Sequence, residues 1–239
     1  MREPKAAGAP LLDGRTRGEI GTGLGPMCPV TSAHTGRYWS LLFAIGLGFC
    51  ANLYAGEKTP VRSLIERRHE HVVLQQWELS CAAAALATVL RYQHGIAVTE
   101  RSVALGLINR KEYLANPGLV RLRQGFSLLD LRRFVDVLGY EGIGLGQLAF
   151  RDLLERAPII VPVDLRGYPH FVVFRGATSQ RVLLADPAFG NVTMSIRKFV
   201  SAWIDYRDIG HVGFVVTKSG SLAPPGRLSV RASDFVVLQ

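Results

Sequence analysis

The stretch Gln75–Arg91, QQWELSCAAAALATVLR, decides how the rest of the chain is read, because it sets one cysteine, Cys81, at the point where a strong helix begins. Ser80 is a natural N-cap, and the Ala- and Leu-rich run behind it has high helix propensity, so Cys81 is predicted in the first turn. Unpaired backbone N–H groups and the positive end of the helix dipole favour a thiolate there. A thiolate is a nucleophile. Gln75 lies on the segment leading into the helix, where its side-chain amide can fold back as a donor to an oxyanion forming beside the sulfur. The competing reading is structural: free cysteine is among the most buried residue types, and an Ala-rich helix facing a core is an ordinary place for it.

A nucleophilic cysteine needs a base, and the base needs a group to hold its ring. His170 opens the run His-Phe-Val-Val-Phe-Arg-Gly, directly after Arg166-Gly-Tyr-Pro169, and Asp186 closes the next apolar run in Leu-Leu-Ala-Asp-Pro-Ala-Phe-Gly. If these runs are adjacent antiparallel strands joined by a turn near Thr178 to Arg181, the start of one lies beside the end of the other. Imidazole and carboxylate then meet at one end of a sheet, where the Cys81 helix can cross them. Taken singly, His170 reads as an exposed strand-edge residue and Asp186 as a turn opener before proline.

Around these residues the first half of the chain is helical. Residues 57 to 70 read as a charged lead-in helix or arm, and His71 to Gln75 as a short strand. Helices follow from Cys81 to about His94, from a Thr99 cap to about Asn109, over Lys111 to Asn116, and from Leu128 to Leu138 behind a Ser127/Asp130 capping box. Short apolar runs then mark strands at Ile143–Leu145, Ile159–Asp164, His170–Gly176, Val182–Ala185 and Val212–Thr217, with helices inserted near Phe150–Arg156 and Ile196–Trp203. Helices first and an antiparallel sheet second give an α+β protein of two lobes.

The 239 residues, 48% of them hydrophobic, suffice for one good-sized core. The net charge of +9 is spread without basic runs or interleaved aromatics, so a solvated basic surface is favoured over a nucleic-acid site. Residues 1–36 read as disordered or as a misassigned extension, with Met27 an alternative start. The uncharged apolar run Tyr38 to Ala55, preceded by Arg37, has the length of a secretory signal core, so 37–56 is assigned as a signal peptide. An inner-membrane anchor is the alternative. A lipoprotein site at Cys50 fits poorly, because bulky Phe49 precedes it. Either assignment puts the remainder, a domain over 57–218 and a tail over 219–239, outside the cytoplasm, in the periplasm. Cleavage would remove Cys28 and Cys50 and leave Cys81 as a lone thiol in an oxidising compartment.

Together these residues resemble the papain-like bacterial cysteine peptidases that remove double-glycine leaders from bacteriocins, as exporter domains or as free-standing proteins. The resemblance covers roughly residues 70 to 218. Through Phe126-Ser-Leu-Leu-Asp-Leu131 and His170-Phe-Val-Val-Phe-Arg-Gly176 it extends to the free-standing, secreted FapD-like members of functional-amyloid export systems. It implies a papain-like fold, a Cys81 nucleophile, a His170 base, an orienting Asp186 and Gln75 in the oxyanion hole. It also implies a protein or peptide substrate, an amyloid subunit or export component among the candidates, and no cofactor. One departure is Ala82, where the family usually has glycine after the nucleophile.

Alternatives with the same residues are a catalytically weak module that binds secretion cargo, and acyl transfer to an acceptor other than water. His69-Glu-His71 has the residue types for a metal, but alternating histidines in a charged lead-in usually face solvent, and no metal is expected. His94 and His211 read as ordinary helix-end and strand-edge residues, and Trp77 either lines the cleft or packs.

Overall fold

The computed structural model describes residues 62–165, 167–218 and 226–235. The predicted extension and signal peptide lie outside them. Among the described residues no helix is long and apolar enough to cross a membrane.

Six helices come first: α1 (Leu64–His69), α2 (Cys81–Tyr92), α3 (Glu100–Ile108), α4 (Lys111–Ala115), α5 (Gly118–Leu122) and α6 (Leu128–Val137). Strand β1 (Glu141–Leu145), helix α7 (Phe150–Arg156), strands β2 (Ile159–Asp164), β3 (Pro169–Ala177), β4 (Arg181–Asp186) and β5 (Gly190–Ser195), and helix α8 (Ile196–Ala202) follow. The small pair β6 (Asp205–Tyr206) and β7 (Gly210–His211) precedes the last long strand, β8 (Gly213–Thr217). This is the expected α+β order, helices and then an antiparallel sheet.

The sheet runs β1-β8-β2-β3-β4-β5, and its pairs are antiparallel. Both faces are covered. Ile160, Val173, Ala185 and Phe214 pack against Ala82, Leu86 and Leu90 of α2 and their neighbours on α3 and α6. On the other face, Val161, Val172, Phe174 and Leu184 pack with Leu153 of α7, Phe199 of α8 and Trp203. Coverage on two sides explains why Ile159-Ile-Val-Pro-Val163 is apolar without alternation and buried throughout. The alanines of α2 are equally buried, and their small side chains are what a helix needs to lie close against a sheet.

Several local expectations are corrected. The Ser80 side chain does not cap α2: its backbone is not extended, and its hydroxyl turns instead to the Trp77 carbonyl and the Glu100 carboxylate. His71 to Gln75 is not a strand, because its backbone bonds leave the sheet: Val73 N–H donates to Thr88 Oγ1 and Gln75 N–H to the Pro187 carbonyl. Helix α2 ends at Tyr92, two residues before the expected limit, with Gly95 in the left-handed region at φ 72. Directly after the helix expected over Lys111 to Asn116, Pro117 stands at the start of a further helix, α5, that the pattern does not mark. Thr99 and Ser127 do cap α3 and α6 through reciprocal side-chain bonds, as their sequences predict.

Candidate active site

Cys81 is the first residue of α2 and is 7% exposed. The backbone N–H groups of Phe171 and Ala82 face its sulfur. Phe171 directly follows His170, so the start of β3 and the start of α2 meet at the thiol. Burial nevertheless dominates and pushes the thiol up from its ordinary value; the nearby N–H groups oppose this, while the Asp186 charge adds to it. The helix start alone therefore does not hold Cys81 as a thiolate in the resting protein, contrary to the expectation from sequence.

The His170 and Asp186 side chains are almost fully shielded from solvent, with Nε2 of the ring 3.0 Å from Oδ2 of the carboxylate. The register explains the pairing: Val173 stands opposite Ala185, and the strands are joined by the expected turn at Thr178–Arg181. The second carboxylate oxygen, Oδ1, accepts the N–H groups of Ala188 at 2.8 Å and Phe189 at 3.3 Å, which fixes its orientation. The opposite ring nitrogen, Nδ1, lies 3.1 Å from the Tyr168 carbonyl. Burial alone would lower the imidazole pKa, but the Asp186 hydrogen bond and charge, helped by the Tyr168 carbonyl and Asp164, outweigh it and leave His170 above its ordinary value. Acceptors on both nitrogens suit an imidazolium. In this resting arrangement the ring bonds to Asp186 and Tyr168 rather than to the thiol.

Gln75 is half-buried and tied to the same end of the sheet through its backbone bond to Pro187, the residue after Asp186, at 2.8 Å. Among the described residues its side-chain nitrogen has one long contact, 3.5 Å to the Trp77 carbonyl, and its buried Oε1 has no partner. The backbone of Gln75 is thus held in place, while its side-chain amide keeps donor capacity in hand. Trp77, 46% exposed, lines a groove of about 320 Å³ with Leu105, Ile108, Val120 and Phe126, beside the segment that leads to Cys81. Ala82 is fully buried in the core, so its methyl is spent on packing. Two neighbours carry no signal in the sequence: the Tyr168 carbonyl, a backbone group, and Glu100, a helix-start glutamate of a kind that normally faces water.

His94 packs edge-on against Tyr140 and bonds the Val216 carbonyl, while His211 stacks on Trp203, so both serve packing. Among the described residues no three His, Cys, Asp or Glu side chains gather as a metal-binding group.

A thiol at a helix start and an imidazole–carboxylate pair at a strand end thus meet, with the backbone of Gln75 tied to the same end of the sheet. Two curated relatives, each described as a probable functional amyloid protease FapD, come from Pseudomonas fluorescens and Pseudomonas aeruginosa. They are 38% and 36% identical over 143 residues, 60% of this chain and 61% of each relative. The alignment therefore spans under two thirds of the relatives' length. Among solved structures, a double glycine motif protease from an AMS/PCAT transporter, crystallised with the leader peptide, gives a TM-score of 0.48 at 22% identity, covering 62% of this chain and 91% of that one. The peptidase domain of Streptococcus ComA gives 0.47 at 20%, covering 61% and 96%. Residues 69–207, which carry Gln75, Cys81 and His170 with Asp186, match one family over more than half of the sequence, and the chain belongs to that family, the Peptidase C39 family.

Proposed function

We propose that the chain is an exported cysteine peptidase acting in the periplasm on a secreted protein or peptide that belongs to a functional-amyloid or peptide export route. The observation that carries this reading is the buried His170–Asp186 pair, 3.0 Å apart, at the strand end that also abuts the Cys81 sulfur. The relatives' descriptions support the amyloid context, and the family resemblance supports cleavage after Gly-Gly.

The chemistry follows from the two protonation preferences. The thiol, raised by burial, holds its proton at rest; the imidazolium that the partners of His170 favour first gives its own proton to solvent, and the neutral ring then takes the Cys81 proton. Substrate in the cleft displaces water, and the imidazolium then stabilises the thiolate beside it. The sulfur adds to the scissile carbonyl carbon. The resulting oxyanion accepts hydrogen bonds from the backbone N–H of Cys81 and the Gln75 amide. The intermediate collapses, the C–N bond breaks, and the departing amine takes its proton from His170. Water, deprotonated by His170, cleaves the thioester and restores the thiol. Asp186 holds the ring through both half-reactions. The groove beside Trp77 suits an apolar stretch of the substrate.

The test is alkylation of the full chain with iodoacetamide over a pH series, read at Cys81 by mass spectrometry, alongside hydrolysis of a fluorogenic peptide ending in Gly-Gly-aminomethylcoumarin. Wild type is expected to be alkylated at Cys81 faster than His170→Ala throughout the series, because the neutral imidazole takes the thiol proton as the sulfur attacks. His170→Ala is also expected to cut hydrolysis by about a hundredfold or more; Cys81→Ala abolishes it. Reactivity indifferent to His170 would remove the peptidase reading and leave a cargo-binding module.

A further inference from the structure

Glu100 is the first residue of α3, yet it is only 3% exposed. It does not serve its own helix, whose start is capped by Thr99 and Ser102 in a reciprocal pair. Its carboxylate turns instead toward the segment between Gln75 and Cys81. Both oxygens lie 2.9 Å from the Gln76 N–H, and Oε1 also accepts the Ser80 hydroxyl. Burying a carboxylate is costly unless it is fully hydrogen-bonded, and bonds to an ionised acceptor are among the stronger ones. The positive end of α3 adds to their hold on the charge.

What the carboxylate grips is more telling than how well it is held. Gln76 immediately follows Gln75, and Ser80 immediately precedes Cys81. Between them the backbone makes a tight excursion in which Leu79 adopts φ 64, a conformation that favours glycine, with its carbonyl 3.1 Å from where a side chain on Gly125 would begin. A non-glycine residue in that region persists only where its surroundings fix it. We propose that Glu100 is a positioning residue for acyl transfer: by joining Gln76 N–H to the Ser80 hydroxyl it sets the spacing between the Gln75 amide and the Cys81 N–H, the two oxyanion donors. The inference rests on the peptidase reading of Cys81 and Gln75. It adds that a carboxylate with no place among the reacting groups determines how well the oxyanion is held.

Two probes separate oxyanion stabilisation from thiol reactivity. With p-nitrophenyl acetate, the Cys81 sulfur adds to the acetyl carbonyl, the C–O bond breaks, p-nitrophenolate leaves and an acetyl thioester forms, so the step passes through an oxyanion. With iodoacetamide, the sulfur displaces iodide from a saturated carbon and no oxyanion arises. The full chain is used, with Cys81→Ala as the background for both. Glu100→Gln keeps the shape of the side chain but sets an amide nitrogen against one of the donors. It is expected to slow acylation about tenfold or more, part of what loss of a whole oxyanion donor costs, and to leave Cys81 alkylation within about twofold. Ser80→Ala, which keeps the carboxylate, is expected to show the same selective loss to a smaller degree, and it carries the test should Glu100→Gln not fold by circular dichroism. Unchanged acylation, or acylation and alkylation falling by the same factor, overturns the proposal. Wild-type alkylation indifferent to His170→Ala is a different result, because it removes the nucleophile itself.

Discussion

His170 meets an acceptor at each ring nitrogen, a carboxylate at 3.0 Å and a carbonyl at 3.1 Å, while burial works against its charge. Removing the carboxylate reverses that balance. In Asp186→Asn the imidazole loses both its hydrogen-bonded anion and the strongest upward influence on its pKa, so its midpoint is expected to fall from above the ordinary 6.5 to that value or below. A pH titration of the His170 ring proton by NMR, assigned with His170→Ala, reads this directly; an unmoved midpoint would sink the pairing. The sign carries into stability. A folded pKa above the unfolded one contributes stability that is full below about pH 6.5 and is lost as pH rises through the folded value, and Asp186→Asn should flatten that slope. Cys81, His170 and Asp186 were legible in the sequence because each sits at a boundary that local patterns mark: a helix start, a strand start and a strand end before proline. Glu100 was not. Its inward turn depends on where α3 lies relative to the Gln76–Ser80 segment, and Thr-Glu at a helix start otherwise describes a solvated cap.

Among the elements, β5 is the least legible in the sequence, though it forms one edge of the sheet and anchors α1. Gly-Asn-Val-Thr-Met-Ser begins with turn residues and has few β-branched ones, and the Asp186-Pro-Ala-Phe turn masks its start. The capped helices and β2 are legible because their signals are local: a hydroxyl at the helix start, joined at Ser127 by an acidic partner three residues on, or an unbroken apolar run. The His71–Gln75 segment failed as a strand for the opposite reason, since its partners are the Thr88 hydroxyl and the Pro187 carbonyl, and neither pattern nor propensity records them. At the head of β5, Gly190 has φ 80, and a Cβ there would stand 2.4 Å from the Arg68 carbonyl oxygen. Neither backbone can yield cheaply. Gly190→Ala is therefore expected to displace α1, break the bonds from Asn191 Nδ2 to the Arg67 and Glu70 carbonyls, and cost about 2–4 kcal/mol, strain and lost hydrogen bonds together. Denaturant unfolding measures the loss, and stability equal to wild type would show that the contact relaxes freely.

At the scale of the whole molecule, the described part of the tail is not loose: Leu228 is fully buried, and Arg227 N–H donates to the Tyr92 carbonyl at the end of α2. The polar, proline-containing sequence after Ser219 gives no sign of this, because one leucine is fully buried and several of the other contacts run through backbone groups, which no residue pattern records. The centre of that attachment is Arg175 on β3, 5% exposed. Its guanidinium donates to the Leu228 and Arg227 carbonyls and to Asn191 Oδ1, and lies 3.6 Å from Asp234. Asn191 in turn holds the carbonyls of Arg67 and Glu70, so one buried arginine links the segment before the site, the sheet and the tail. Its value lies less in the partly exposed Asp234 pairing than in satisfying the Leu228 carbonyl and Asn191 Oδ1, acceptors on two buried residues. Arg175→Met keeps much of the side-chain volume and removes every donor, leaving those acceptors unpaired at a cost of about 3 kcal/mol. For a domain of this size that corresponds to a melting temperature lower by about 6–12 °C. The loss should also be local before it is global. Hydrogen exchange in residues 226–235 is expected to quicken in Arg175→Met under conditions where β3 and β4 stay protected, since the tail is held by the arginine and the strands by their ladder. A tail as protected as in wild type, with an unchanged melting temperature, would mean that Leu228 alone holds it and that the network adds nothing.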